Sequence, residues 1–319
     1  MVELLPSKQI VRVRFSPFAP SLVGLAVRTP PSHGGNHGFD SRTRYYGEFS
    51  KLLLYLDYTH YMFTETYKGI PDFIKDSMES LIDKSDHYHY INHKRRYART
   101  IQVLLDQQPS GRLLEIGTSK LIPRALKTLA PEVEVSVTHF DLDSPEEGTI
   151  EIDGDFFPAY CVDLEKKPLP APDDYFDYIL CCEVLEHMEI DPMFMLSEIN
   201  RVMKPGGTLI LTTPNVVSSR GLTKMLAGIE PYFYMQYNIN GDYNRHNYEY
   251  SVHTLVRVLQ AAGFDGSLWT EDTFEDSMPN VVDRLTKAGF NISHVGDNIM
   301  SISKKQGPVF DRYPACLYV

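Results

Sequence analysis

From residue 109 onward, short apolar runs alternate with stretches of mixed polarity. Arg112–Ile116 (RLLEI), Val133–Phe140, Ala159–Val162, Tyr175–Cys181 (YFDYILC) and Thr208–Thr213 (TLILTT) are such runs. Runs this short, separated by helical segments, predict the strands of a parallel sheet covered on both faces. Thr208–Thr213 is entered through Pro205-Gly206-Gly207, which is turn chemistry. Ser251–Ala262 reads as a helix with Ser251 as its cap and Gly263 as its stop. Two later runs, near Ser267–Thr270 and His294–Ile302, fit an antiparallel edge.

Upstream, Asp72–Ile82 and Tyr90–Leu105 carry apolar residues at three- and four-residue spacing, which predicts helices. The expected organisation is an irregular extension (1–40), a tyrosine-dense helical or lid region (41–108), a domain over 109–303 with an insertion at 214–250, and a tail (304–319). Within the extension, Val11–Phe15 alternates like a short strand and Thr29–Gly38 reads as flexible.

Composition narrows the class. With 43% hydrophobic and 23% charged residues among 319, a disordered or collagen-like chain is excluded. No apolar run approaches the roughly 18 residues of a membrane span. The N-terminus lacks the order of a signal peptide, so the expected location is cytoplasmic. Thirty-one basic against 42 acidic residues give a net charge of −11, which disfavours a non-specific nucleic-acid binder. Lys94, Arg95, Arg96 and Arg99 form one basic cluster, which on a helix either sits against the cofactor mouth or makes a solvated face. The four cysteines make no disulfide scaffold, and adjacent Cys181 and Cys182 fit no C-x-x-C metal pattern.

An open parallel sheet binds ligands beyond the carboxyl ends of its strands, where strand order reverses. The loop after the first strand is Glu115-Ile-Gly117-Thr-Ser119-Lys-Leu121, and Gly117 permits close approach of a ligand to backbone. Asp141 ends the second strand, 26 residues after Glu115, where an acid suits the two hydroxyls of a ribose. The loop has no G-x-G-x-x-G, so a pyrophosphate cradle is poorly supported. Further landmarks are Asp163-Leu164, then Phe176-Asp-Tyr-Ile179, Cys182-Glu183-Val-Leu-Glu186-His187-Met188, and Glu198-Ile-Asn-Arg201-Val-Met-Lys204-Pro-Gly-Gly207.

In order and spacing these landmarks resemble the class I S-adenosylmethionine-dependent methyltransferases, over roughly residues 100–275. The resemblance implies an α/β fold: a doubly wound, mostly parallel, seven-stranded Rossmann-like sheet, here with an N-terminal helical extension. It implies that Glu115 and Gly117 line the amino-acid end of S-adenosylmethionine, Asp141 its ribose, and Asp163 and Leu164 its adenine. Cys182 joins this set. The first loop departs from the family pattern of two or three glycines; Ser119 is small enough to replace one.

Methyl transfer from a sulfonium is an in-line displacement, so the protein chiefly supplies position. A hydroxyl acceptor also needs its proton removed or its charge stabilised. Glu183, Glu186 and His187 stand at i, i+3 and i+4, one face of a helix if a helix opens there. With His246 they make a set able to hold a divalent cation. E-x-x-E-H followed by a later R-H segment (Arg245-His246) resembles the small-RNA 3′-terminal 2′-O-methyltransferases, and E-x-x-E-H alone also the ubiquinone-pathway O-methyltransferases. That resemblance implies Mg²⁺ or a similar ion on Glu183, Glu186, His187 and His246. E-x-x-E-H also resembles methyltransferases not known to use a metal, in which His187 or His246 would be a base or acceptor contact.

The 214–250 insertion carries Tyr232, Phe233, Tyr234, Tyr237, Tyr243, Tyr248 and Tyr250, rings that suit a sugar cleft or ordinary packing. Thr213-Pro-Asn215, this insertion and the Ala261-Ala-Gly-Phe264 ending look like methyltransferases of bacterial glycan clusters. The expected acceptor is a saccharide or other polar small-molecule hydroxyl. The alternatives are methylation of an RNA 3′ end and a non-catalytic methyltransferase-like binding module. Oligomerisation, with residues 1–40 wrapping a partner subunit, stays open.

Overall fold

The computed structural model describes residues 69–82, 87–140, 145–231, 245–273, 279–289, 292 and 294–319. The chain divides into two compact units, Met1–Phe63 and Thr64–Val319, and every described residue lies in the second. Asp141, the expectations for residues 1–68 and five of the insertion's seven aromatic residues fall outside the described residues.

Eight strands form one sheet: β1 (Gly111–Ile116), β2 (Val133–His139), β3 (Glu147–Ile152), β4 (Asp155–Cys161), β5 (Phe176–Cys182), β6 (Met203–Pro214), β7 (Phe264–Glu271) and β8 (Asn298–Lys305). Their order is β3-β4-β2-β1-β5-β6-β8-β7. Strands β4, β2, β1, β5 and β6 run parallel, whereas β8 is antiparallel to both β6 and β7. The late pair is the expected antiparallel edge. Strand order reverses at β1, which lies between β2 and β5, so the ligand crevice belongs over the carboxyl end of β1.

The resemblance implied seven strands; the eighth is β3. It pairs antiparallel with β4 through a two-residue turn, Asp153-Gly154, with φ of 48° and 85°. Positive φ at both positions is what a tight hairpin turn demands, and Asp-Gly provides it cheaply.

Among the described residues seven helices accompany the sheet: α1 (Asp72–Ser80), α2 (His87–Leu105), α3 (Leu121–Leu129), α4 (Pro192–Val202), α5 (Ser219–Leu226), α6 (Val252–Ala261) and α7 (Pro279–Lys287). Ile74 and Met78 of α1 and Ile101 and Leu104 of α2 share a core with Leu113 of β1, Leu126 of α3 and Val137 of β2. Each of these side chains is essentially excluded from water, a burial worth about 1.5–3 kcal/mol apiece. The helix ends are set locally. Ser251 caps α6 by accepting from Thr254 N, and Asp191 caps α4 by accepting from Phe194 N, with Pro192 in the first turn. The tail folds back on that cap, where Arg312 and the Tyr318 hydroxyl both donate to Asp191. Among the described residues no helix is long and apolar enough to cross a membrane.

Candidate active site

The loop after β1 turns at Gly117 (φ 71°), where a Cβ would lie 2.8 Å from Val184 Cγ2. Its N–H donates to Thr138 Oγ1 (2.8 Å), and Thr118 Oγ1 donates to Thr138 O (2.7 Å), which ties the loop to β2. Ser119 Oγ then accepts from Ile122 N in the first turn of α3. The second left-handed position is Lys120 (φ 61°), a place where glycine would relieve strain. The single-glycine loop therefore still makes the turn, with Ser119 as the cap.

Glu115 lies beneath this loop, 1% exposed. One carboxyl oxygen accepts from Ser119 N at 3.3 Å; the other, Oε1, is buried without a partner. Burial pushes its pKa up to about 8, against the opposing bond from Ser119. A buried acceptor left unmatched beside a loop that exposes backbone fits the cationic amino-acid end of a sulfonium nucleoside. Cys182 ends β5 close by, its thiol pushed up to about 12 by burial and by Glu115. Asp163 is engaged in its own turn, accepting from Glu165 N and Lys166 Nζ, and with Leu164 it lies outside the cavity described next.

A cavity of about 560 Å³ opens over this end of the sheet. Its walls include Arg96, Tyr97 and Thr100 of α2, Gly117 to Ser119, Cys182 to Val184, Glu186, His187, and Asn215, Ser218, Arg220, His246, Glu249 and Asn298. The E-x-x-E-H segment does not open a helix. Glu183 is left-handed (φ 56°), only Leu185–His187 make a 3₁₀ turn, and α4 begins at Pro192. The i, i+3, i+4 argument for a shared face is thereby corrected; a strand end and a tight turn position these groups instead.

The four residues expected as metal ligands divide. Glu183 is saturated: Oε2 accepts from Arg96 Nη1 (2.9 Å), and Oε1 from Thr212 Oγ1 and Asn298 Nδ2 (both 2.8 Å). Glu186, His187 and His246 converge, with one ligand atom of each within 4.8 Å of the others. Glu186 is fully buried; Oε2 accepts from Thr213 Oγ1, and Oε1 has no hydrogen-bond partner, with His187 Nε2 4.0 Å away. Burial and then the neighbouring Glu183 hold its pKa well above the usual carboxylate range. His187 Nδ1 lies 3.0 Å from Arg245 O, and His246 Nδ1 lies 3.0 Å from Glu249 Oε1. Both acceptors favour the tautomer with the proton on Nδ1, which leaves Nε2 as the ligand atom, the arrangement of metal-binding histidines. His187 is held below the usual imidazole range by burial. This donor set, with an orphaned buried oxygen at its centre, fits a divalent cation through Glu186, His187 and His246, and Glu183 stands outside it.

His246 reaches the site because its segment is laced to the 3₁₀ turn. Asn247 N donates to Glu186 O (2.7 Å), Asn247 Nδ2 to His187 O (2.8 Å), and Tyr248 N to Glu186 O. The bridge between Asn215 and Tyr250 continues the seam. Tyr250 is core, 1% exposed, whereas Tyr248 is 44% exposed.

The basic cluster on α2 is a solvated face only in part: Arg95 is exposed and Lys94 half-buried. Arg96 and Arg99 are 9% and 2% exposed and pair with Glu183 and Glu271. Asn298, Asn247 and Glu249 are site residues that the sequence reading missed, and Arg96 entered it only within the basic cluster. Arg96 carried a signal, since its 3.6-residue phase places it with Tyr97 and Thr100 near the apolar stripe. Asn298 carried none.

A sheet reversing at β1, a glycine turn at the switch point and an unmatched acid beneath it mark the ligand crevice of an open α/β fold. The chain matches the family model for a methyltransferase domain over residues 88–267, more than half its length, and belongs to that family. No curated protein matches the chain. Among solved structures it is similar to a SAM-dependent methyltransferase from Archaeoglobus fulgidus (18% identity, 70% of this chain and 100% of that one, TM-score 0.47). It is also similar to a possible histamine N-methyltransferase from Thermotoga maritima (19%, 72% and 99%, TM-score 0.45). A third is the N-methyltransferase NodS from Bradyrhizobium japonicum, in complex with S-adenosyl-L-homocysteine (13%, 73% and 99%, TM-score 0.41).

Proposed function

We propose that the protein O-methylates a saccharide or other polar small-molecule hydroxyl, with a divalent cation held by Glu186, His187 and His246. The observation that carries this reading is the convergence of those three groups around a buried oxygen with no hydrogen-bond partner, in a cavity also lined by the polar side chains of Asn215, Ser218, Arg220, Glu249 and Asn298. A hydrogen-bonding acceptor suits such walls; an apolar one would strand their polar atoms. When bound, the cation would polarise the acceptor hydroxyl and lower its pKa. Glu115 and the Gly117 turn hold the cofactor's amino-acid end, with Asp141 on the ribose and Asp163 and Leu164 toward the adenine. Glu249 and the Arg245 carbonyl orient the imidazoles. His187, held neutral by burial, is also able to take the hydroxyl proton at Nε2. The two roles compete for one atom, and metal binding decides between them.

RNA methylation is the weaker reading. Two of the four basic residues on α2 are buried in ion pairs, so they do not contribute to a solvent-facing phosphate track. The test measures S-adenosylhomocysteine release with a panel of mono- and disaccharides and with a short RNA ending in a free ribose, each with Mg²⁺ or excess EDTA. Release with a saccharide, lost in EDTA, is expected. Release with RNA alone would replace the acceptor; full turnover in chelator would remove the metal and leave His187 as base. Bound cofactor with no turnover on any acceptor would favour a binding module.

A further inference from the structure

We propose that a second cavity, sharing the cofactor loop as a wall, binds a small ring-bearing carboxylate and that its occupancy tunes the grip on the cofactor. The cavity holds about 240 Å³, and Glu186, His187 and His246 do not line it. Tyr97, Thr118 and Ser119 line both cavities. The remaining walls sort into an apolar side and a cationic end. Leu81, Ile82 and Leu121 make the apolar side, with the rings of Tyr90 and Tyr97. An apolar cavity of about 150 Å³ takes one benzene, so this one has room for a single ring and a carboxylate.

The cationic end selects the charge of the ligand. Lys120 and Arg124 stand against a single acid, Asp153. Arg124 Nη1 donates to Asp153 Oδ2 (2.7 Å) and to Leu81 O (2.8 Å), so that acid is matched and Lys120 is the excess charge. Among the described residues Lys120 forms no ion pair. Tyr90 is 7% exposed, and among the described residues its hydroxyl has no hydrogen-bond partner. A buried phenol left unmatched on a cavity wall is satisfied by an acceptor on the ligand. Helix α3 begins at Leu121, and its N-terminus adds positive dipole at the same end. A neutral ligand would leave the ammonium unmatched, and a cation would be repelled by it. The link to the cofactor is Lys120 itself, the left-handed residue (φ 61°) that follows Thr118 and Ser119 in the loop. A carboxylate paired with Lys120 holds that backbone in place, so the loop is set before the nucleoside arrives.

Ligand-observed NMR titrations on the full chain compare benzoate, its neutral isostere benzamide, and inorganic phosphate. The wild-type protein is expected to bind benzoate on the order of tenfold more tightly than benzamide, the value of one charge-assisted contact, and more tightly than phosphate. Saturating benzoate is expected to tighten S-adenosylhomocysteine by about fivefold, and by linkage the nucleoside tightens benzoate by the same factor. Lys120→Gly relieves the left-handed backbone and is expected to bring benzoate and benzamide within about twofold of each other. Tyr90→Phe keeps the ring, and is expected to weaken benzoate by about fivefold while leaving S-adenosylhomocysteine alone within about twofold. Benzoate and benzamide binding equally to the wild-type protein would overturn the carboxylate site, and that comparison needs neither a variant nor the cofactor. Phosphate binding as well as benzoate would overturn the ring. Benzoate displacing S-adenosylhomocysteine would place it in the larger cavity and overturn the second site. Benzoate bound with the nucleoside's affinity unchanged would overturn the regulatory role.

Discussion

Arg96 Nη1 stands 2.9 Å from Glu183 Oε2, and this pair ties the helix above the cofactor loop to the end of β5. Glu183 needs that tether. It is a non-glycine residue in left-handed backbone, a conformation that costs on the order of 1–3 kcal/mol unless its surroundings hold it. Three side-chain donors and the bond from Glu183 N to Thr212 O do so. Glu183 therefore shapes the turn that presents Glu186 and His187, and two carboxylates that look equivalent in E-x-x-E-H have different work.

That difference is measurable. Glu186→Gln is expected to abolish Mn²⁺ or Co²⁺ binding and to keep or raise the melting temperature without metal, because a buried carboxyl with an unmatched oxygen becomes a neutral amide. Glu183→Gln is expected to do the reverse: metal binding persists within about tenfold, while stability falls by about 3 kcal/mol because Arg96 loses its counter-charge. Calorimetric titration with Mn²⁺ and thermal melts of both variants decide it. Equal loss of metal binding in the two would restore Glu183 as a ligand.

Glu249 acts on the cluster through His246, at 3.0 Å from Nδ1. Removing a carboxylate that orients a metal-binding histidine typically costs 10–100-fold in affinity. Glu249→Ala is expected to weaken Co²⁺ binding by about that factor and to alter the d–d absorption of the bound ion. An unchanged Co²⁺ spectrum and affinity would mean that His246 is not a ligand.

Glu115 predicts a proton coupled to cofactor binding. With its pKa raised by burial to about 8, the carboxyl is mostly protonated at pH 7 in the free protein. A cationic ligand favours the carboxylate, so binding should release protons and tighten as pH rises from 6 through 8. The sign for folding is opposite. An acid whose folded-state pKa is raised contributes stability that is full below about 4.5 and lost as pH climbs through about 8. The free protein should lose thermal stability across that window, and the S-adenosylhomocysteine complex should lose less. Calorimetry in buffers of different ionisation heat reads the proton directly. Glu115→Gln should remove the release, and a release that survives that change would assign it elsewhere.

The parallel strands were legible because the centres of β1, β5 and β6 are buried on both faces and so carry short apolar runs such as Leu113-Leu114, Ile179-Leu180 and Leu209-Ile210-Leu211. Strand β3 was not, since Glu147–Ile152 is an edge strand with a mostly exposed face; only Asp153-Gly154 betrays the hairpin. Glu186, His187 and His246 were legible as a motif, yet spacing alone assigned them to a helix face. The left-handed Glu183 that makes the real turn depends on Arg96, 87 residues earlier, and on Asn298, 115 later. Contacts that distant leave no trace in local periodicity. The same holds for the basic cluster, where a helix pattern gives phase but not what waits on the buried side.

Arg99 shows the consequence most sharply. Its Nε lies 2.8 Å from both Glu271 oxygens, and the side chains are 3% and 11% exposed. Strand β7 is thereby pinned to α2 at the rim of the cofactor cavity. A buried pair broken on one side leaves an uncompensated charge, whereas replacing both partners with apolar groups of similar volume is often neutral. Arg99→Met should cost about 3–5 kcal/mol in urea unfolding. The double variant Arg99→Met with Glu271→Leu should recover most of that loss, with a coupling energy of about 1–3 kcal/mol. A solvated arginine would behave differently: Arg99→Met would fall within about 0.5 kcal/mol of wild type and show no coupling to Glu271. That outcome would also detach α2 from β7 and loosen the wall on which Arg96 is mounted.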